Sequence, residues 1–142
     1  MGDLSCFLSQ NAITVENVKV VVSKRFMNKD RKPVEWEVKC ITPEKDEMIK
    51  KECTKRKPIP GKKGAYMPET DYDQYVGRLA VACTVFPDLN NKELQDSYQV
   101  MGAEALLKKM LTPGEYREYL SKVQEVNGFD IELEDLVDEA KN

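Results

Sequence analysis

Val18-Lys19-Val20-Val21-Val22-Ser23 and Val34-Glu35-Trp36-Glu37-Val38-Lys39-Cys40 decide the fold class. In the first run Val18, Val20 and Val22 fall on one face, against Lys19, Val21 and Ser23. In the second, Val34, Trp36, Val38 and Cys40 oppose Glu35, Glu37 and Lys39. Period-two alternation of β-branched and aromatic residues predicts two strands, over 16–26 and 34–41. The polar, turn-rich Met27-Asn28-Lys29-Asp30-Arg31-Lys32-Pro33 between them closes a β-hairpin with one dry and one wet face. Lys19 or Lys24 can pair across the wet face with Glu35 or Glu37 for a few tenths of a kcal/mol. A lone hairpin is marginal in water, so it must pack on helices.

Those helices follow downstream. Thr42-Pro43-Glu44 combines a cap, a proline at the first helical position and an acid at the positive helix end. The predicted helix runs to about Lys55, with Met48, Ile49 and Cys53 inward. Pro58-Ile59-Pro60-Gly61-Lys62-Lys63-Gly64 reads as a loop. After Pro68, Tyr72, Tyr75, Val76, Leu79, Ala80, Cys83 and Phe86 form a wide helical stripe that stops at Pro87. Asn90 and Glu93 suggest a cap pair for a helix carrying Leu94, Tyr98 and Met101. Gly102 breaks that run, and Ala103, Leu106, Leu107, Met110 and Leu111 resume the periodicity. Thr112-Pro113-Gly114-Glu115 is a capping box. It opens a helix with Tyr116, Tyr119, Leu120, Val123 and Val126 inward, closed by Asn127-Gly128. The expectation is an α+β fold: one mostly α-helical domain over 1–142, with an N-terminal β-hairpin packed on about five helices. Its parts are an N-terminal docking segment (1–14, with Leu4, Cys6, Phe7 and Leu8), the hairpin (16–41), a helical core (42–128) and an acidic C-terminal helix (129–142).

Composition fits a soluble chain of 142 residues, 41% hydrophobic and 33% charged. This length can bury roughly 68–70% of the unfolded surface, enough for a core without staples. Histidine is absent, which removes the usual general base, metal ligand and pH switch. Cys6, Cys40, Cys53 and Cys83 lack zinc-ligand spacing. No metal or cofactor is expected, and the chain reads as a non-enzyme. Gly61-Lys62-Lys63-Gly64 fails as a phosphate loop, since Ala65 follows and a helix lies upstream. No basic leader precedes residue 20, and no apolar run reaches membrane-spanning length. Reduced thiols in a cytoplasm are the expectation.

Charge is uneven. Residues 1–70 carry 15 basic and 10 acidic side chains, residues 71–142 carry 7 and 15, and the whole is −3. Eight basic residues lie between Lys45 and Lys63, and six acids with one lysine in 130–142. Lys55, Arg56, Lys57, Lys62 and Lys63 are candidate contact residues. They could track phosphates with Tyr66 stacking, although a pI of about 5.2 and interleaved acids count against nucleic acid. The asymmetry could also pair two copies of the chain.

Longer strings carry a resemblance. They include Glu16-Asn17-Val18-Lys19, Val34-Glu35-Trp36-Glu37-Val38, Cys53-Thr54-Lys55-Arg56, Pro60-Gly61-Lys62-Lys63-Gly64, Lys92-Glu93-Leu94-Gln95-Asp96-Ser97-Tyr98, Leu111-Thr112-Pro113-Gly114-Glu115-Tyr116 and Asn127-Gly128-Phe129-Asp130. Over about residues 11–130 the chain resembles the XkdN-like family, small tail assembly chaperones of contractile-tailed phages and PBSX-type prophages. The resemblance implies an assembly factor in the bacterial host cytoplasm. Such a factor binds the tape-measure protein, shields its apolar helices, and helps tail-tube subunits assemble around it. A structural virion component, such as a tail-tube or head–tail joining protein, is the alternative; a small nucleic-acid-binding regulator is the third reading. Tyr98, Met101, Leu107 and Met110 are the candidate groove for an apolar helix, and the same four fit a plain core.

Overall fold

The computed structural model describes residues 3–129. The hairpin forms as expected, but shorter: β1 (Val18–Val21) pairs antiparallel with β2 (Glu35–Val38). Val18 faces Val38 and Val20 faces Trp36 on the dry side, while Lys19 lies opposite Glu37 on the wet side. The connecting loop is a ladder in miniature. Asn28 Oδ1 accepts from the backbone N–H of Asp30 and of Lys32, and Val34 N–H donates to the Phe26 carbonyl at 2.8 Å. Cys40, expected inward, lies just past β2 and is exposed.

α1 (Pro43–Glu52) starts as read: Thr42 Oγ1 accepts from Lys45 N–H, with Pro43 in the first turn. It stops three residues short of the expected end. Ile49 and Cys53 are buried, but Met48, one position off their line, is exposed. The expected loop is present over 59–65, as the turn of a second hairpin whose two strands the sequence reading did not give. β3 (Thr54–Pro58) pairs antiparallel with β4 (Tyr66–Thr70).

α2 (Tyr72–Cys83) is central, touching α1, the last two helices of the described residues and the sheet. It buries Tyr75, Leu79, Ala80 and Cys83, whereas Tyr72 at its first position is exposed. The helix ends at Cys83, not Phe86. Thr84–Phe86 form β5, which pairs antiparallel with β2 to complete a sheet ordered β1-β2-β5. Two β-branched residues and an aromatic, the last held extended by the following proline, favour a strand over another helical turn.

α3 (Lys92–Ser97) is capped by Asn91, one residue later than the sequence suggests. Gly102 (φ +98) separates it from α4 (Ala103–Met110). Gln95 clasps this connection: its Nε2 donates to the Leu89 carbonyl and its Oε1 accepts from Gly102 N–H. α5 (Pro113–Val126) opens on the expected capping box at Thr112 and Glu115. Gly77 lets α5 come close to α2, since a Cβ there would sit 3.1 Å from the Tyr116 hydroxyl.

One core joins all of this: Trp36 and Val38 from the sheet, Leu79 and Cys83 from α2, Leu106, Leu107 and Met110 from α4, Tyr119 and Val123 from α5. Trp36 meets Tyr119 edge-on at 5.1 Å, and the Tyr119 hydroxyl is hydrogen-bonded to Thr84 Oγ1. Each such large side chain contributes roughly 1.5–3 kcal/mol by leaving water. Polar ties close the seams. Arg78 of α2 bridges Glu104 (2.9 Å) and Glu52 (3.2 Å). Arg25 Nη2 reaches the Met110 carbonyl at 2.6 Å and Glu115 at 2.8 Å. Asn127 accepts from Ile41 N–H and donates to the Val123 carbonyl, fixing the start of α1 against the end of α5. Among the described residues the result is an α+β fold with its N-terminal strands packed on five helices.

Candidate functional site

The β3–β4 ribbon gathers all five cationic candidates on one projecting element. Lys55, Arg56 and Lys57 lie in β3, and Lys62 and Lys63 in the turn. Its base is pinned to the fold. Thr54 Oγ1 lies 2.7 Å from Thr70 Oγ1, and Asp71 N–H donates to the Cys53 carbonyl at 2.8 Å. Its tip is shaped by Gly61 and Gly64 at φ +80 and +76, a region open to glycine without a Cβ clash. Between base and tip both faces meet solvent, so neither strand contributes to the core. Tyr66 and Met67 are 53% and 52% exposed.

The faces differ electrostatically. Opposed residues share a face, so Lys55 and Glu69 lie with Lys57 and Met67 on one side. Lys57 pairs with Glu69 at 3.4 Å. An open cleft of about 410 Å³ separates this side from the start of α2, and Asp71 and Asp73 line it with the two lysines. The acids there balance the lysines. On the other side Arg56 stands 5.9 Å from the Tyr66 ring centroid, opposite Pro68, with no acid in the strands of that face. The surplus positive charge therefore sits on the Arg56–Tyr66 face and at the Lys62–Lys63 tip.

The apolar candidates do not come together. Leu107 and Met110 are buried in the core and Tyr98 is half-buried against it. Met101 is 94% exposed, between α3 and α4. The helical spacing of Leu94, Tyr98 and Met101 fails because α3 ends at Ser97 and Gln99 takes a positive φ of 57°. No groove is lined by these four residues.

A second exposed apolar set lies before β1. Leu4, Phe7 (76%), Leu8, Ile13 (97%) and Val15 all face solvent around a 3₁₀ turn at Ser5–Phe7. The segment was expected to dock on the domain or on a partner, and within this chain these side chains are exposed. Leu4, Phe7 and Leu8 were visible as an apolar knot; Ile13 and Val15, flanked by polar residues, gave no such signal. The last predicted segment, the acidic helix from 130 on, lies outside the described residues.

Burial raises the thiol pKa of Cys53 and of Cys83, holding both away from the nucleophilic thiolate. Among the described residues, no group of three Cys, Asp or Glu could hold a metal ion, and no helix is long and apolar enough to cross a membrane.

Comparison with known proteins supplies the kinship. The family model described as "Phage XkdN-like tail assembly chaperone protein" matches residues 4–141. The "Phage-like element PBSX protein XkdN" of Bacillus subtilis (strain 168) is 36% identical over 141 residues, covering 99% of this chain and 94% of that protein. "Uncharacterized protein YqbN" of the same strain is 38% identical, covering 99% and 93%. The crystal structure of the protein YqbN superposes with a TM-score of 0.78 at 34% identity, over 92% of this chain and 99% of that one. Sequence and fold agree over almost the whole length, and the chain belongs to the XkdN-like phage tail assembly chaperone family.

Proposed function

We propose that this chain is a non-enzymatic chaperone of the host cytoplasm that binds the tape-measure protein and assists tail-tube assembly around it. Family membership supports the assembly role. The observation that carries the binding reading is the amount of apolar surface kept out of the core on projecting segments. Leu4, Phe7, Leu8, Ile13 and Val15 precede the sheet, and Tyr66 and Met67 stand on the ribbon. Exposed apolar side chains suit transient cover for an apolar helix, and on the ribbon the neighbouring charge keeps the holder soluble. The ribbon adds direction: its cationic face favours acidic stretches of the client and raises the rate of encounter.

Co-expression of the chain with its tape-measure protein tests this. The expected result is more soluble tape measure and recovery of both on a tag carried by either. A tape measure that stays insoluble and does not copurify overturns the reading. Recovery of this chain from finished tails at tube stoichiometry would favour a structural virion component.

A further inference from the structure

β1 is an open edge. In the sheet order β1-β2-β5 its outer side faces no other strand, and among the described residues no backbone group pairs with it. The edge leaves apolar surface uncovered. One strand in, β2 buries Trp36 and Val38 on the dry face, whereas Val18 and Val20 of β1 are only half-buried. The other strand edges carry guards against pairing. β3 holds Pro58 beside three cations, β4 holds Pro68, and β5 is three residues long and runs into Pro87. β1 has no proline, and residues 13–17 lead into it without secondary structure of their own.

The area of this surface fits a second copy of the chain. Leu4, Phe7, Leu8, Ile13, Val15 and Val21 lie on β1 and the segment before it, and their exposed fractions together equal about four whole side chains. At the transfer value of such side chains that is roughly 250–500 Å² of apolar surface. A standard-size interface takes about 800 Å² from each partner, a little over half of it apolar. The set comes close to that apolar share, and the half-buried Val18 and Val20 add to it.

The edge is also complementary to itself. Two β1 strands related by a two-fold axis run antiparallel with their dry faces on one side, so opposed residues share a face. Centring the pair on Lys19 sets like charges directly opposite, which is unfavourable. Centring it on Val20 sets Val15 against Arg25, which is committed to the Met110 carbonyl and Glu115. Centring it on Val18 avoids both. Val15 of each copy then meets Val21 of the other, and Lys19 meets Asn17. Glu16 meets Val20 at the ends of the seam, where its carboxylate can reach water.

We infer that two copies of this chain pair antiparallel along β1, over residues 15–21 with Val18 at the two-fold axis, into one six-stranded sheet, with their N-terminal apolar residues closing over the seam. The pairing is isologous and ends at two copies; the guarded β5 edges stop the sheet from growing. Tyr66 and Met67 on the ribbon stay free in the dimer, and a client that takes up Phe7 or Val15 must open it. The inference stands whichever client the chain serves.

Sedimentation equilibrium of the full chain from about 5 to 200 μM tests it, with a monomer–dimer equilibrium expected in that range. Val15→Glu/Val21→Glu sets like charges opposite each other and should weaken the dimer at least about tenfold. Val15→Glu/Val21→Lys sets opposite charges there and should restore it to within about threefold of the parent. Both variants change exposed side chains, so unfolding midpoints equal to the parent's are expected. In a Cys6→Ser/Cys40→Ser background, Val18→Cys should form a disulfide between copies, since its two Cα atoms would face each other about 4.5–5.5 Å apart. Lys19→Cys and Val20→Cys should not. A chain still monomeric at about 200 μM overturns the inference and leaves the edge to a client. A dimer unmoved by Val15→Glu/Val21→Glu, no recovery in Val15→Glu/Val21→Lys, or cross-linking through Lys19→Cys or Val20→Cys instead of Val18→Cys overturns it as well.

Discussion

Glu115 serves two structures with one carboxylate. It accepts from Thr112 N–H in the capping box of α5, and it pairs with Arg25 at 2.8 Å. The Arg25 hydrogen bond, aided by Ser23 and the Thr112 backbone, holds its pKa down to about 2. A carboxyl whose folded pKa lies below its unfolded value near 4.5 stabilises the fold above that value. This contribution is lost as pH falls from about 4.5 toward 2. Urea midpoints measured across that window should decline with acid, and Arg25→Ala should flatten the decline. Tyr119 acts at the other extreme. Burial pushes its pKa up to about 12, so its contribution is intact below pH 10 and is lost as pH rises toward 12. Tyr119→Phe should soften that alkaline loss and cost about 1 kcal/mol at neutral pH through the hydrogen bond to Thr84. Trp36→Ala, which empties the contact between sheet and α5, should cost roughly 3–5 kcal/mol by chemical denaturation.

At the scale of elements, the ribbon and the core should respond oppositely to substitution. Arg56→Glu with Lys62→Glu changes only exposed positions, so the unfolding midpoint should stay within about 0.5 kcal/mol of the parent. Thr112→Ala removes a cap and should cost about 1 kcal/mol. The same contrast explains what could be read from the residues. β1 and β2 were legible because one face is dry, and burial writes period-two alternation into Val18, Val20, Trp36 and Val38. β3 and β4 were not. Both of their faces are wet, so Thr-Lys-Arg-Lys-Pro and Tyr-Met-Pro-Glu-Thr carry no apolar alternation, and Pro60, Gly61 and Gly64 read as a loop. The remaining clue was local: those turn residues sit between two short runs that each contain Thr at the fold-proximal end. β5 hid inside a helical stripe, because Val85 and Phe86 continue the apolar character of α2 while the backbone switches to the sheet. Caps were the clearest signals, since Thr42 and Thr112 act through neighbours in sequence rather than through tertiary contacts.

At the scale of the molecule, one core holds the hairpin, α2, α4 and α5 together, while the ribbon and the N-terminal segment stand outside it. The five cationic candidates were legible as a charge run and converge on one element. The apolar candidates were not separable from core, because a helical stripe looks the same whether it faces a neighbour in the fold or a partner. The residues that build the core and the exposed residues of the ribbon and N-terminal segment are therefore separate sets. The direct measurement is recovery of the tape-measure protein on a tagged chain, comparing the parent with the Arg56→Glu/Lys62→Glu/Lys63→Glu variant at equal expression and equal unfolding midpoint. The account predicts tape measure bound to the parent and at least about tenfold less on the variant, a loss of 1.4 kcal/mol or more in binding. Equal recovery on both would contradict the ribbon's role, and recovery on neither would contradict the chaperone reading itself.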